Sequence, residues 1–293
     1  MYLVIDVGGT AIKYCYMDQD GGMYDKAQIS TNSIHSLEEF IQTIQTIYHS
    51  STYRIEGIAL SCPGVIDADK GIIKVVVTIP YLHGVCLVKE ISEACDNVKV
   101  TIENDGKCAG LAEVWKGNAK DFNDSIVIVF GTGIGSAVIK DKRIHSGHNL
   151  FAGEISTIIV DYDVKNKKVI EWSDIASTKA LCQMGAKVLG LDKMDGKEFF
   201  EYANKGNETI LQVLDEAAFQ IAIQLYNMQY LYDPGIICIG GGISKQPLFI
   251  NKIKEAVHKI NIETNPLIVP NVEVCKFYND ANLIGALYNF MIR

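Results

Sequence analysis

A carboxylate and a glycine turn follow the first apolar run of the chain, in an arrangement suited to phosphate and a metal ion. The run at residues 2–5 continues into DVGGT at 6–10. Glycines let backbone N–H groups approach an oxyanion closely, and the Thr10 hydroxyl adds a donor. Asp6 stands where a carboxylate can hold Mg²⁺ through water, and Lys13 can reach a phosphate. A plain hairpin turn with a solvated lysine is the alternative interpretation.

A second glycine-rich turn, GTGIG at 131–135, also follows an apolar run. It is similar to the dinucleotide fingerprint, but that motif needs a third glycine where this chain has Ser136. The fingerprint also needs a helix next, whereas residues 137–140 predict a strand. We therefore interpret the turn as a second hairpin-type phosphate clamp rather than a Rossmann site.

Three glycines at 240–242 end another apolar segment, 236–239. Such a run lets the backbone lie flat against adenine, or bind a phosphate at the start of the helix expected near Ser244. An ordinary loop is the alternative interpretation.

Two further carboxylate segments have the chemistry to act on a hydroxyl group. Residues 103–105, Glu-Asn-Asp, end a predicted strand and open a predicted helix. Asp105 can accept a hydroxyl proton there, and Asn104 can hold a neighbouring sugar hydroxyl. Helix capping is the alternative for both residues. Glu154, in Ala-Gly-Glu at 152–154, is the second carboxylate, with a solvated loop glutamate as its alternative.

Composition and charge disfavour several classes of protein. The 293 residues suffice for about two domains of ~100–200 residues each. With 35 acidic and 27 basic residues, the formal net charge is −8, which opposes binding to phosphate backbones. The uncharged stretch at 125–139 is shorter than the ~20 residues of a membrane helix. A strand directly after Met1 predicts no secretory leader, so we expect a cytoplasmic protein that binds neither nucleic acid nor membrane.

The cysteines and histidines lack the spacing of a metal site. No two of the eight cysteines lie closer than nine residues, which excludes C-x₂₋₄-C knuckles and favours free thiols. His145 and His148 flank a glycine without a third ligand. We interpret them as structural or surface residues.

Apolar runs alternate with helical patterns along the chain, which is typical of an α/β fold. Long helical patterns occur at 207–232 and 281–291. The run at 3–10 recurs at 126–133 as an apolar strand with a glycine turn, with Val129 in the position of Asp6. This recurrence predicts two phosphate clamps, of which only one faces a metal ion.

The recurrence also predicts the domain organisation. The two copies begin at residues 3 and 126, a spacing far longer than the ~20–50-residue units of a solenoid. This spacing indicates two similar lobes. We place the first lobe at 1–117 and the second at 118–280. The C-terminal helix, at about 281–293, is expected to pack back on the first lobe.

Taken together and in this order, the motifs resemble the ROK family of sugar kinases and sugar-responsive repressors. The resemblance extends from residue 3 to about 286. It is carried by the segments 6–10, 63–67, 103–105, 131–135, 152–155 and 240–242.

The resemblance implies an α/β fold of two ribonuclease-H-like lobes, of the actin, hexokinase and Hsp70 ATPase type, with ATP and sugar in a central cleft. It implies Asp105 as the general base, and Gly64, Asn104 and Glu154 as sugar-binding residues. It also implies ATP and Mg²⁺ as cofactors, a small-molecule sugar as substrate and a homodimer. The implied nucleotide-binding residues are Asp6 (with Mg²⁺, through water), Gly8, Gly9, Thr10, Lys13, Gly131, Thr132, Gly133, Gly240 and Gly241.

The chain departs from the family at its zinc motif. Ser156 and Thr157 stand where the family has a glycine and a histidine that binds zinc and faces the sugar. The zinc cysteines are also missing, since 162–176 contains no cysteine. The resemblance to a member without this motif implies no zinc site and a sugar pocket altered around C1 and C2. Space for a β-linked aglycone results, so we expect glucose, a β-glucoside or N-acetylmannosamine as the substrate.

The family includes both kinases and regulators. Its repressors carry an N-terminal helix-turn-helix, whereas the phosphate strand here begins at residue 2. This start and the negative charge favour a kinase that phosphorylates a hexose or hexoside at its 6-hydroxyl. The alternatives are a non-catalytic sugar-sensing regulator on the same fold and a chaperone- or actin-like ATPase.

Overall fold

The computed structural model describes all 293 residues. Its strands are β1 (Tyr2–Val7), β2 (Ala11–Met17), β3 (Met23–Ser30), β4 (Gly57–Cys62), β5 (Val65–Asp67), β6 (Ile72–Val75), β7 (Val100–Asn104), β8 (Ser125–Phe130), β9 (Ile134–Lys140), β10 (Arg143–Ile144), β11 (Ile159–Asp163), β12 (Lys168–Glu171), β13 (Ile236–Gly240) and β14 (Val272–Val274). Its α-helices are α1 (Leu37–His49), α2 (Leu87–Ala94), α3 (Asp105–Lys116), α4 (Ser173–Ala176), α5 (Thr178–Leu189), α6 (Gly196–Asn204), α7 (Glu208–Tyr232), α8 (Pro247–Thr264) and α9 (Ala281–Ile292). None of these helices combines the length and the apolar character needed to cross a bilayer.

The chain divides into two compact units. Unit 1 comprises Met1–Trp115, Ser146–Phe151 and Asp280–Arg293, and unit 2 comprises Lys116–His145 and Ala152–Asn279. The segment Ser146–Phe151 thus belongs to unit 1, whereas the sequence placed it within the second lobe. A segment without periodicity carries no local signal for the unit against which it packs.

Unit 1 is built on a five-stranded sheet in the order β3-β2-β1-β4-β7. β1 and β2 form an antiparallel hairpin, and β4 and β7 continue the sheet in parallel with β1. The carboxyl ends of parallel strands meet at one edge of a sheet. Asp6 is in register with Ser61, and Asn104 is in register with Cys62, so these residues lie at that edge.

The two faces of this sheet bury different helices. Alternation along β1 sends Leu3 and Ile5 into a core that includes Phe40 and Ile44 of α1. The opposite face packs against α9, where the ring centroids of Tyr2 and Phe290 are 5.2 Å apart. Helix α9 therefore covers the face of β1 that also carries Asp6.

Helices α9 and α3 approach each other closely. The rings of Tyr288 and Trp115 are stacked, with centroids 5.4 Å apart. A Cβ at Gly285 would lie 1.7 Å from the carbonyl oxygen of Cys108. A side chain at position 285 is thus incompatible with this packing.

Unit 2 repeats the arrangement with a sheet in the order β10-β9-β8-β13-β14. β8 and β9 form an antiparallel hairpin, and β13 and β14 are parallel to β8. The recurrence between 3–10 and 126–133 thus corresponds to two equivalent hairpins. The long helix predicted at 207–232 is confirmed as α7, capped by Asn207 and buried through residues such as Leu214 and Ile221.

Candidate active site

Asp6 lies near the carboxyl end of β1 and exposes only 5% of its surface. Its Oδ1 accepts hydrogen bonds from Ser61 Oγ at 2.8 Å and from Asn282 Nδ2 at 3.0 Å. The Nζ of Lys13, its cross-strand partner, is 3.9 Å from Oδ2. Mg²⁺ is commonly held by one or two carboxylates together with waters and substrate phosphates. A single carboxylate fixed at a strand end fits that mode of binding.

In the first glycine turn, both backbone polar groups of Gly8 already form hydrogen bonds within the protein. The Gly8 N–H donates to Ala11 O at 3.0 Å, and Gly8 O accepts from Thr31 Oγ1 at 2.8 Å. Gly8 is therefore occupied within the turn, and its N–H is not available to a phosphate. The exposed residues Gly9 and Thr10 carry the N–H groups that remain for an anion.

Asn104 and Asp105 join β7 to α3. Asn104 Oδ1 accepts the Lys107 N–H at 3.0 Å, and its Nδ2 donates to Gly64 O at 2.9 Å. Asp105 Oδ1 accepts the Gly106 N–H at 2.8 Å. The capping interpretation is thus confirmed for Asn104. Capping does not exclude sugar binding, because the Asn104 amide keeps one N–H and one lone pair.

Two buried charged residues flank Asp105, and neither was predicted from the sequence as a site residue. Glu103 and Lys107 each expose only 1% of their surface. Burial raises the pKa of the Glu103 carboxyl, whose Oε1 accepts the Asn104 N–H at 2.9 Å. Lys107 Nζ donates to the carbonyl oxygen of Leu150 at 3.3 Å. A lysine among the small and apolar residues of α3 was the available signal.

Glu154 belongs to unit 2, where it precedes a short 3₁₀ helix, Ile155–Thr157. Gly153 has φ +92°, a conformation that favours glycine. Thr157 Oγ1 donates to the carbonyl oxygen of Glu154 at 3.2 Å. Thr157, which stands at the position where the resemblance implies a histidine, thus uses its hydroxyl to bond the backbone of Glu154.

Unit 2 contains a cavity of about 600 Å³ beside the second glycine turn. Drug-sized ligands occupy pockets of ~300–1,000 Å³. Its lining residues are Phe130, Gly131, Thr132, Thr178, Lys179, Cys182, Gln183, Met194, Gly196, Lys197, Phe200, Gly242, Ile243 and Gln246. A lining that combines apolar side chains with polar groups suits a nucleotide, whose base is planar and whose phosphates are anionic.

Donors for an anion gather at this cavity. The N-termini of α5 and α6 both contribute to its lining, through Thr178 and Lys179 and through Gly196 and Lys197. Helix N-termini attract negative charge, and the two lysines add to that field, whereas the Asp195 and Glu198 carboxylates of a capping box offset part of it at α6. The buried hydroxyl of Thr178 has no hydrogen-bond partner in the protein. These residues were not predicted from the sequence, because their meeting depends on the packing of α5 against α6.

The glycines around the cavity differ in the physical reason for having no side chain. A Cβ at Gly241 would lie 2.1 Å from Phe130 O, and φ is +92° there. A Cβ at Gly240 would lie 2.9 Å from Cys275 Sγ. Both residues thus have a packing reason to be glycine, and their nucleotide role stays a prediction. Gly133 and Gly242 have no protein atom within 4 Å of the Cβ position, and Gly242 lines the cavity.

Replacing Gly242 with valine is expected to raise the KM for ATP about tenfold with little change in stability. The added side chain enters open space beside the cavity rather than the protein core. Gly241→Ala, in contrast, should destabilise the fold, because its Cβ meets Phe130 backbone. Steady-state kinetics and urea unfolding of both variants check this. An unchanged KM in the Gly242 variant contradicts a nucleotide in this cavity.

The metal-ligating residue types form no cluster in this structure. No group of three or more His, Cys, Asp or Glu side chains is arranged to hold a metal ion. All eight cysteines are free thiols. Burial raises the pKa of the Cys62 and Cys108 thiols well above the ordinary value, which keeps them protonated and unreactive.

Solved structures share this arrangement over nearly their whole length. A ROK family protein from Streptococcus pneumoniae TIGR4, in complex with sucrose, superposes with a TM-score of 0.91 at 32% identity, covering 99% of this chain and 98% of that chain. A ROK family glucokinase from Streptomyces griseus, in complex with glucose and AMPPNP, has a TM-score of 0.82 at 22% identity, covering 98% and 97%. The predicted actin and hexokinase-type α/β fold is thus confirmed.

Sequence comparisons give the family. The ROK family profile matches residues 2–291. A β-glucoside kinase from Klebsiella pneumoniae is 28% identical, covering 97% of this chain and 94% of its own. Other relatives are named glucokinase and N-acetyl-D-glucosamine kinase. The chain belongs to the ROK family, and its kinase relatives support a carbohydrate kinase.

Proposed function

We propose that this chain transfers the γ-phosphoryl group of ATP to the 6-hydroxyl of a hexose or hexoside, in a Mg²⁺-dependent reaction. The candidate substrates are glucose, a β-glucoside and N-acetylmannosamine. The observation that carries the proposal is the unit 2 cavity, with two helix N-termini, two lysines and a glycine turn at its lining. Relatives named β-glucoside kinase and glucokinase, and the sucrose complex of a neighbour, support a sugar as the acceptor.

Asp105 acts as the general base in this proposal. Its carboxylate accepts the proton of the 6-hydroxyl as that oxygen bonds to the γ-phosphorus. The bond between the γ-phosphorus and the bridging oxygen breaks, and ADP leaves with the electron pair. The N–H and lone pair that Asn104 retains, the Gly64 backbone and the Glu154 carboxylate bind the remaining hydroxyls. Positioning contributes strongly, because phosphoryl transfer needs orientation and charge neutralisation more than covalent chemistry.

The phosphates are held by backbone donors and charge. Gly9 and Thr10 supply N–H groups from the first turn, and Thr132 and Gly133 supply those of the second, because the Gly131 N–H donates to Gly133 O at 2.9 Å. Asp6 would hold Mg²⁺ through water, since its fixed single carboxylate fits that ion. When bound, Mg²⁺ neutralises phosphate charge that develops during transfer. Lys13, at 3.9 Å from Asp6, lies at the same strand edge and contributes positive charge there.

A coupled assay of ADP release tests the proposal. Purified protein is incubated with ATP and glucose, N-acetylmannosamine, N-acetylglucosamine or cellobiose, with and without Mg²⁺. We expect release that depends on one or more of these sugars and on Mg²⁺. Sugar binding without ADP release from any of them would instead support a sugar-sensing regulator. ADP release that does not depend on the added sugar would support a simple ATPase.

A further inference from the structure

The end of helix α9 contacts the strand that leads into the proposed base. Arg293 follows α9, and its Nη2 lies 3.6 Å from Oε2 of Glu103 in β7. One turn earlier, Asn289 Nδ2 donates to the carbonyl oxygen of Ile102 at 3.4 Å. Arg293 Nε donates to Asn289 Oδ1 at 3.0 Å, which joins the two contacts. The end of α9 thus contacts both of the residues that precede Asn104.

The two carboxylate oxygens of Glu103 have different surroundings. Oε1 accepts the Asn104 N–H at 2.9 Å, so it fixes the peptide group between residues 103 and 104. Oε2 is buried and accepts no hydrogen bond, and the guanidinium of Arg293 at 3.6 Å is a counter-ion for it. A buried charge is costly without a partner, so Arg293 stabilises this orientation of the carboxylate. One side chain therefore connects α9 to the backbone of Asn104.

A further contact of Arg293 closes a ring of interactions. Its Nη1 lies 2.5 Å from Oδ1 of Asp69, in the turn between β5 and β6. Gly64, which precedes this hairpin, has a carbonyl oxygen that accepts from Asn104 Nδ2 at 2.9 Å. Arg293 and the Asn104 amide therefore both connect the hairpin to the end of β7. All of these residues belong to unit 1.

Charged groups of three elements act on the Glu103 carboxyl. Burial has the largest effect and raises its pKa. Lys107 of α3 and Arg293 after α9 favour the ionised form, as does the Asn104 N–H, whereas Asp69 of the β5–β6 turn opposes it. Arginine is not deprotonated in proteins, so Arg293 is a permanent counter-ion. The ion pair therefore depends on the ionisation of Glu103.

We propose that Arg293 and Glu103 are positioning residues for phosphoryl transfer, whose ion pair fixes the Asn104 backbone so that the Asp105 carboxylate faces the attacking hydroxyl. Neither residue touches the substrate, and both act through the peptide groups that join β7 to α3. Fixed geometry matters, because a displacement of about 1 Å can lower the rate of a reaction ~10²-fold. This inference rests on the proposed function and adds two residues to its machinery.

The test uses Glu103→Gln, Arg293→Gln and the double variant. Each single variant should lower kcat about tenfold with little change in the KM for ATP, since no nucleotide-binding residue is altered. Arg293→Gln also leaves the buried Glu103 charge without this counter-ion, so its stability in urea should fall. The double variant removes both charges, so its stability should recover while its kcat stays about tenfold low. Arg54→Gln, at an exposed arginine of unit 1, is the matched control and should change neither property.

The pH dependence of kcat separates positioning from folding. Because the pKa of Glu103 is raised above its ordinary value of 4.5, wild-type kcat should fall as the pH decreases through that raised value. Glu103→Gln has no carboxyl to protonate there, so the fall of its kcat should begin at a lower pH. An acid limb that is the same in both proteins contradicts the proposal.

The outcomes separate this inference from the proposed function. Near-normal kcat in both single variants, or a kcat that recovers together with stability in the double variant, overturns the positioning role while the kinase assignment stands. If no sugar yields ADP, the proposed function fails, and hydrogen exchange of the amides at 102–107, followed by mass spectrometry, tests the ion pair. Faster exchange there in Arg293→Gln than in Arg54→Gln supports the link from α9 to Asn104. Equal exchange overturns it.

Discussion

Replacing Asp105 with asparagine is expected to lower kcat by about 10²–10⁴-fold while the chain stays folded. Asparagine retains the Oδ1 that accepts the Gly106 N–H at 2.8 Å, so the first turn of α3 keeps this bond. The variant loses the negative charge of the carboxylate that is proposed to accept the proton from the attacking hydroxyl. Saturating steady-state kinetics and a urea unfolding curve measure the two properties separately.

Two further variants show whether the loss of kcat is specific to Asp105. Asp121→Asn changes a carboxylate whose side chain is 81% exposed, and it should leave kcat unchanged. Asn104→Ala removes the bonds to Gly64 and Lys107, so it should cost about 1 kcal/mol of stability as well as activity. Near-normal kcat in Asp105→Asn would contradict the general-base role and leave Asp105 as a residue of the helix start.

Replacing Gly285 with alanine is expected to destabilise the protein by about 3 kcal/mol. The added Cβ would lie 1.7 Å from Cys108 O and 2.4 Å from Cys108 C, both backbone atoms of α3. Relief therefore requires that α9 and α3 separate, which disturbs the stacked pair of Tyr288 and Trp115. The free energy of unfolding in urea measures the loss.

Gly196→Ala is the matched control for this effect. Gly196 is the first residue of α6, and its Cβ would lie 3.5 Å from Thr178 Cγ2, an ordinary contact. Alanine is expected to be neutral or to stabilise by about 0.5 kcal/mol there, through lower entropy of the unfolded chain. A Gly285 variant as stable as the parent would contradict the close packing of α9 on α3.

The sequence revealed those elements whose pattern is local. β1 and β8 appeared as apolar runs before glycine turns, and α7 as a long helical pattern at 207–232. β3 was missed, because it is an edge strand with mostly exposed polar residues and no buried alternation. The placement of Ser146–Phe151 in unit 1 depends on long-range packing, which a single sequence does not encode locally.

The residues of the candidate site also divide into those with a local sequence pattern and those without one. Asp6 and Asn104 were found because carboxylates and amides after strands are visible in the sequence, although the hydrogen bond between Asp6 and Asn282 joins distant parts of the chain. Thr178 was missed because its burial has no local sign, whereas Lys107 had one, since it is a lysine among the small and apolar residues of α3. The three glycines at 240–242 look alike in sequence, whereas their Cβ environments range from a backbone clash to open space.

The proposed transfer of the γ-phosphoryl group of ATP to the 6-hydroxyl of a hexose or hexoside has one direct test. The protein is incubated with ATP, Mg²⁺ and each candidate sugar, and phosphorus in the product is located by ³¹P and ¹³C NMR. We predict equimolar ADP and sugar phosphate, with phosphorus coupled to C6 of the accepting ring. Phosphate at another carbon, or ADP without any sugar phosphate, would contradict the claim.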